Sequence, residues 1–212
     1  MFDAARSGRW IAIAALAVGY ALLAHHTMAT SSAGLGTPVA LAPLAVVAFS
    51  LAWHSVNRTA ALSVAAAACA LLAIEWNALQ RHFGMIYWIE HAGTELLLGI
   101  AFARTLAAGR EPMCTYFARL THGTMTPELE RYTRTVTKAW AIFFICMSTA
   151  STLIFFTAPL AIWSVFANFL TAPLIAAMFI GEYAVRHRSL PDMKHAHILT
   201  AVRLFWDKPS SR

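Results

Sequence analysis

Three ionisable residues stand inside one otherwise apolar stretch, IYWIEHAGTELLLGIAF: Glu90, His91 and Glu95. On a helix His91 and Glu95, four apart, share a face, and Glu90 and Thr94 share a neighbouring one. An acidic residue at the centre of a membrane helix costs roughly 2.5–3.5 kcal/mol on insertion scales, so such residues mark function or a specific partner. A rise of about 1.5 Å per residue puts Glu95 on the order of 13 Å below the outer edge of its span, near mid-membrane. Glu75 and Asn77 lie near the outer end of the preceding apolar stretch, His82 follows, and His25-His26 close the first one, so Glu75, Glu90, His91, Glu95, His82, His25 and His26 are expected to gather in the outer half of the bundle. Asn168 falls at mid-depth of the last and is expected to bond across helices. These residues suit a buried hydrogen-bonded network, a proton or metal site, or an acid–base pair acting on a lipid-linked substrate. No spacing among them is diagnostic of a metal, and no P-loop, GxGxxG, HExxH or GxSxG motif is present, so no cofactor is expected.

A second group is basic. Arg110, Glu111, Arg119, Arg131 and Arg134 lie in the one long polar stretch of the chain. Within it Met113, Tyr116, Phe117 and Leu120 recur at i, i+3, i+4 and i+7, which predicts a short amphipathic helix with Pro112 at its first position and Gly123 at its end. Thr126-Pro127-Glu128 starts a second helix, with Thr126 as N-cap. Leu129, Tyr132, Val136 and Trp140 carry its apolar stripe into the next span. Such a hairpin either lies on the inner leaflet, held by apolar area and anionic lipid, or docks an acidic soluble partner such as an acyl carrier protein.

The elements that must carry these residues follow from composition. The chain has 212 residues, 59% hydrophobic and 12% charged. A soluble domain carries about twice that share of charge, and here the apolar residues fall in blocks of about the 20 that cross a bilayer core. The expected fold is an all-α integral membrane protein, a single transmembrane domain with six spans at about 10–26, 38–56, 60–79, 86–106, 139–157 and 160–183. A loop at 25–37 joins the first two spans, a cytoplasmic loop runs over 107–138, and a cytoplasmic tail over 184–212. Arg6 and Arg9 before the first span, with Thr27-Met28-Ala29 after it, imitate a secretory signal; an uncleaved anchor is favoured because further spans follow. Of the 16 Lys and Arg residues, all but Arg81 fall on the N-terminal side of the membrane in this frame. The positive-inside rule then places both termini in the cytoplasm of a bacterial inner membrane. Basic residues gathered at span ends also make a nucleic-acid partner unexpected; membrane lipids are the expected surroundings.

Four further residue groups carry plainer expectations. Cys69, Cys114 and Cys146 form no CxxC pair and read as small buried hydrophobes. Glu182 and Arg186 are four apart and read as a helical ion pair. Pro173 is expected to kink the last span, and His54 to sit at the interface.

Residues 90–192, about half the chain, contain HAGTELLLGIAFARTLAAGREPMCTYFARL, MTPELERYTRTVTKAWAIFF and WSVFANFLTAPLIAAMFIGEYAVRHRSLPD. Their most specific pieces are Gly109-Arg110-Glu111-Pro112, Glu130-Arg131-Tyr132-Thr133-Arg134 and Gly181-Glu182-Tyr183. These stretches resemble a family of uncharacterised bacterial inner-membrane proteins encoded beside fatty-acid-like synthases that make aryl polyene lipids. The resemblance implies a non-enzymatic accessory role in assembling, handing over or exporting such a lipid, with acyl carrier protein, synthase or acyltransferase components as partners. It also implies that Arg110, Glu111, Arg131 and Arg134 face that soluble machinery, and it implies no known active site. Some members are labelled ketosynthase; this chain has neither that soluble fold nor a recognisable nucleophilic cysteine with paired histidines. Two other functions stay open: a proton-coupled small transporter or lipid flippase using Glu95, and an integral membrane acyl or glycosyl transferase.

Overall fold

The computed structural model describes residues 4–122 and 125–189, with side chains from 8 to 120 and from 125 to 189. Among the described residues every regular element is helical. In chain order they are α1 (Ala4–Ala29), α2 (Ala33–Trp53), α3 (Arg58–Ile74), α4 (Trp76–Arg81), α5 (Phe83–Thr105), α6 (Met113–His122), α7 (Pro127–Thr157), α8 (Leu160–Val165), a π-helical turn (Phe166–Leu170) and α9 (Thr171–Ser189). Four helical stretches are long and apolar enough to cross a membrane: Gly8–Ala29, Ala33–Trp53, Pro127–Thr157 and Leu160–Ser189. At most 33% of the most apolar window of any of them is buried inside the protein. Apolar side chains therefore form the outer surface, as expected when the surrounding solvent is lipid. Helix α3 is apolar but short, with 17 residues. Helix α5 is long enough, with 23 residues, yet carries Glu90, His91 and Glu95 and falls outside those four.

Several boundaries differ from the sequence expectation, each for a local reason. The loop expected over 25–37 shrinks to three residues. Thr27 and Thr30 return their hydroxyls to the carbonyls of Ala24 and His26, so polar residues prolong α1 instead of ending it. Ser31, at φ 52°, then makes the reversal. The span expected over 60–79 breaks at Glu75, which ends α3 and precedes α4. In the last span the π-helical turn lies just before Pro173, whose missing N–H deprives the Phe169 carbonyl of its helical donor. Cys69 and Cys146 are exposed on the outer surface and Cys114 is half-buried, against the expectation that all three are buried. Gly123 and the tail beyond Ser189 lie outside the described residues.

The chain divides into two compact units. The first comprises residues 4–92 and 151–172. In it α1 packs on α2 and α8, and α2 packs on α3 and α4. Its core is Ala24, Met28, Ala40, Phe83, Tyr87 and Trp163. Gly36 admits the Phe83 ring, since a β-carbon there would stand 2.6 Å from it. The second unit comprises residues 93–122, 125–150 and 173–189. Here α5 and α7 run antiparallel, with Leu106 beside Arg134, Phe102 beside Trp140 and Gly99 beside Ile145. Trp140 also meets Phe179 of α9 at 4.7 Å. A β-carbon on Gly99 would approach Ile145 Cγ1 to 2.9 Å and its backbone nitrogen to 3.3 Å. Small residues matter here because lipid supplies no hydrophobic drive between helices, so close packing must hold them.

Gly99→Leu is expected to cost about 1–3 kcal/mol by forcing α5 from α7. Thermal unfolding in detergent, followed by intrinsic fluorescence, should show a lowered midpoint; an unchanged midpoint would mean that this contact is not close.

Candidate functional site

The first unit holds a buried polar chain. Trp163 Nε1 donates to Ser151 Oγ at 3.0 Å, and Ser151 Oγ is 2.9 Å from His91 Nδ1. On the other side of the ring, His91 Nε2 is 2.9 Å from Thr171 Oγ1, which donates to the Phe166 carbonyl at 3.2 Å. An indole N–H only donates and a carbonyl only accepts, so both ends of the chain are fixed. Thr171 spends its proton on Phe166 and must accept from His91 Nε2–H. That leaves Nδ1 of the neutral ring to accept from Ser151. The π-helical turn is what brings Thr171 over the Phe166 carbonyl, five residues back. Trp163 and Phe166 enclose the imidazole edge-on at 6.1 and 5.8 Å.

A second chain repeats the pattern. Asn168 Nδ2 donates to the Ser164 carbonyl at 3.0 Å and to Ser164 Oγ at 3.3 Å, and Ser164 Oγ is 2.8 Å from His25 Nδ1. Asn168 was expected to bond across helices; it bonds one turn back within its own span, and Ser164 makes the crossing to α1. Ser151 and Ser164 are both 0% exposed. A serine sealed in this way is a poor nucleophile for an external substrate, however well a histidine is placed beside it. The arrangement fits a packing network better than a Ser–His catalytic pair.

Of the outer polar residues expected to gather, the first unit assembles only part. Glu90 is half-buried with one buried carboxylate oxygen, Oε1, that finds no partner among the described residues. Tyr20 and Tyr87 lie within electrostatic range of it, and the Tyr87 hydroxyl is 3.5 Å from Thr27 Oγ1. Glu75, Asn77, His82 and His26 are exposed. Among the described residues no three His, Cys, Asp or Glu side chains group as metal ligands. Nothing in the sequence singles out Ser151, Ser164, Trp163 or Thr171 as partners of a histidine. Hydroxyl and indole groups are common in apolar helices, and nothing in their spacing marks which will face a histidine.

In the second unit Glu95 is 5% exposed, and its Oε2 has no hydrogen-bond partner among the described residues. It lies four residues before Gly99 on the same face of α5, the face on which Gly99 meets Ile145 of α7.

The basic segment is built on α6. The first N–H groups of any helix have no partner within it. Here the amide of Met113 donates to Thr105 Oγ1 at 3.0 Å, and that of Cys114 to Thr137 Oγ1 at 3.1 Å. Thr115 and Thr133 join hydroxyls at 2.7 Å. Thr126 caps α7 as expected, by accepting from the Leu129 amide, and the stripe Leu129, Tyr132, Val136 and Trp140 turns toward the interior. Burial pushes the Cys114 thiol above its usual range, against the opposing bond to Thr137.

The charged residues divide into three roles. Arg119 pairs with Glu111. Arg134 donates to the Leu106 carbonyl at 2.8 Å, closing the end of α5. Arg110 and Arg131 are exposed. All five residues expected to form one docking face are exposed, with Arg119 and Glu111 joined to each other and Arg134 to Leu106. Glu182 and Arg186 form the expected pair, bidentate at 3.0 and 2.6 Å, and Tyr132 adds an unforeseen bond to Glu182 Oε1 at 3.0 Å. His54, expected at the interface, is exposed and bonds the Ser50 carbonyl.

No family model, no curated protein and no solved structure matches this chain.

Ser151→Ala orphans Trp163 Nε1 and one imidazole nitrogen, a loss of about 1–3 kcal/mol. Adding Trp163→Phe should cost less in the Ser151→Ala background than in the original chain, measured by thermal unfolding in a double-mutant cycle. Strict additivity would show that the chain is not coupled.

Proposed function

We propose that this protein is a six-span component of a bacterial inner membrane, with both termini cytoplasmic, that acts without catalysis. Its role is to help assemble, hand over or export a fatty-acid-derived lipid of the aryl polyene kind. The observation that carries this reading is the hydrogen-bonded basic platform in the second unit. Helix α6 is clipped to α5 and α7 through Thr105, Thr133 and Thr137, and Arg110 and Arg131 point outward from it. A preorganised cationic face suits an acidic carrier protein because the ordering cost is met before the partner arrives. The six-span topology draws support from the near-exclusive placement of Lys and Arg on one side, with α3–α4 and α5 as the two further crossings. The likeness of residues 90–192 to the aryl-polyene-associated family supplies the lipid class.

Lipid mass spectrometry on separated inner and outer membranes of a strain lacking the gene tests this role. Lipid product should be absent, truncated or retained in the inner membrane. An unchanged product in both membranes, together with no carrier or synthase recovered on affinity purification, would overturn the proposal.

Glu95 favours a second reading, a proton-coupled lipid exporter. A buried ionisable group with an unfilled oxygen is a common device for carrying protons through a membrane. In that case Glu95→Gln should abolish export while synthesis continues, with product collecting in the inner membrane. Normal outer-membrane product in the variant would remove this reading.

A further inference from the structure

The two histidine chains of the first unit end differently. His91 has both ring nitrogens bonded, so its chain is closed. In the other chain His25 Nδ1 meets Ser164 Oγ at 2.8 Å, while Nε2 has no partner among the described residues. That nitrogen is not sealed off. His25 is half-buried, and the buried side-chain atoms left without a partner are oxygens of Glu90 and Glu95.

The hydrogen positions on this open chain follow from its members. Asn168 Nδ2 donates to the Ser164 carbonyl and to Ser164 Oγ. An amide N–H cannot accept in return. Ser164 is 0% exposed, and among the described residues the other partner of its hydroxyl is His25 Nδ1. The Ser164 proton therefore goes to Nδ1, and the neutral ring carries its own hydrogen on Nε2. Phe169 packs edge-on against the ring at 5.4 Å. The ring is thus held on one edge by Ser164 and beside Phe169, and its Nε2–H is a donor without an acceptor among the described residues.

The surroundings indicate what can receive it. Val18 and Leu22, seven and three residues earlier on the same face of α1, are exposed, and so is Ala29 one turn later. The apolar stretch Gly8–Ala29 has 22 residues. It is roughly 33 Å long against a hydrocarbon core of about 30 Å, so its ends reach the core edges. His25, four residues from Ala29, stands roughly 6 Å from that end, just inside the edge. An N–H left unmet in hydrocarbon is costly, and water is scarce there. Acyl-ester carbonyls line the inner limit of the lipid's polar layer. They are acceptors and lie nearer to this depth than the phosphates.

We propose that His25 Nε2–H binds the acyl-ester carbonyl of a membrane lipid at the Ala29 end of α1. Ser164 and Asn168 are the positioning residues that fix the tautomer. The proposal needs only that α1 crosses a membrane, so it stands or falls apart from the role in lipid hand-over.

The test is solid-state NMR on the full chain, with isotope-labelled histidine nitrogens, in diacyl phosphatidylcholine labelled at its ester carbonyl carbons. The His25 ring is the signal lost in His25→Gln or, if that variant does not fold, in His25→Asn. In the unaltered chain its hydrogen should reside on Nε2, and Nε2 should show a dipolar cross-peak to the lipid carbonyl carbon. In diether phosphatidylcholine of equal chain length, which lacks that carbonyl, the Nε2–H proton should move upfield while Nδ1 keeps its shift. His91, bonded at both nitrogens, should show no lipid cross-peak and the same signals in both lipids. A hydrogen on His25 Nδ1 would overturn the tautomer and the site with it. Absence of the cross-peak would overturn the ligand. An Nε2–H signal unmoved in diether lipid would point to phosphate or water and overturn the carbonyl assignment.

Discussion

Apolar surroundings leave a hydroxyl, an imidazole or a helix-end amide nothing to bond to except the protein itself, and an unmet polar group in such a medium costs several kcal/mol. Most of what is specific in this molecule answers that demand. Thr27, Thr30, Thr37 and Thr137 return their protons to carbonyls of their own helices. Ser151 and Ser164 meet the two histidines, and the threonines of α5 and α7 accept the free amides of α6. Greasy contact alone cannot select one arrangement of helices in lipid, because lipid chains are as apolar as leucine. Directional bonds and close-fitting small residues such as Gly99 make the selection instead.

The same demand explains the π-helical turn. Pro173 removes a donor from the helix, and the turn before it shifts the register so that the Thr171 hydroxyl returns to Phe166. The shift also brings Thr171 within reach of His91. A local backbone defect thereby becomes a contact between two spans. Turns of this type recur at functional sites, and here the turn carries Asn168, which holds the second serine–histidine pair.

Two places stand apart from this economy. Glu90 and Glu95 each keep one carboxylate oxygen unmatched among the described residues, in the first and second unit respectively. Among the buried side-chain atoms of the described residues these two oxygens are the ones without a partner, so they are the features most in need of a functional reason. The basic platform is the other exception: Arg110, Arg119, Arg131 and Arg134 are all exposed, while Arg119 also pairs with Glu111 and Arg134 with the Leu106 carbonyl.

The sequence by itself determined the class of the protein. Blocks of apolar residues of bilayer length are legible without any knowledge of packing, because insertion depends on each segment's own composition. Thr126 as a cap and Glu182 with Arg186 as a pair were legible for the same reason, both being settled within a few residues of chain. Only the tertiary structure decided which polar residues meet. The seven residues expected to gather at the outer side were chosen for their chemistry, yet Glu75, His82 and His26 turn outward while Ser151, Ser164 and Trp163 join the histidines. The stripe Tyr116–Phe117–Leu120 was visible from its periodicity, but its outward direction was not. Periodicity shows that a helix has two faces; which face turns inward depends on the partners held opposite it, here the hydroxyls of Thr133 and Thr137.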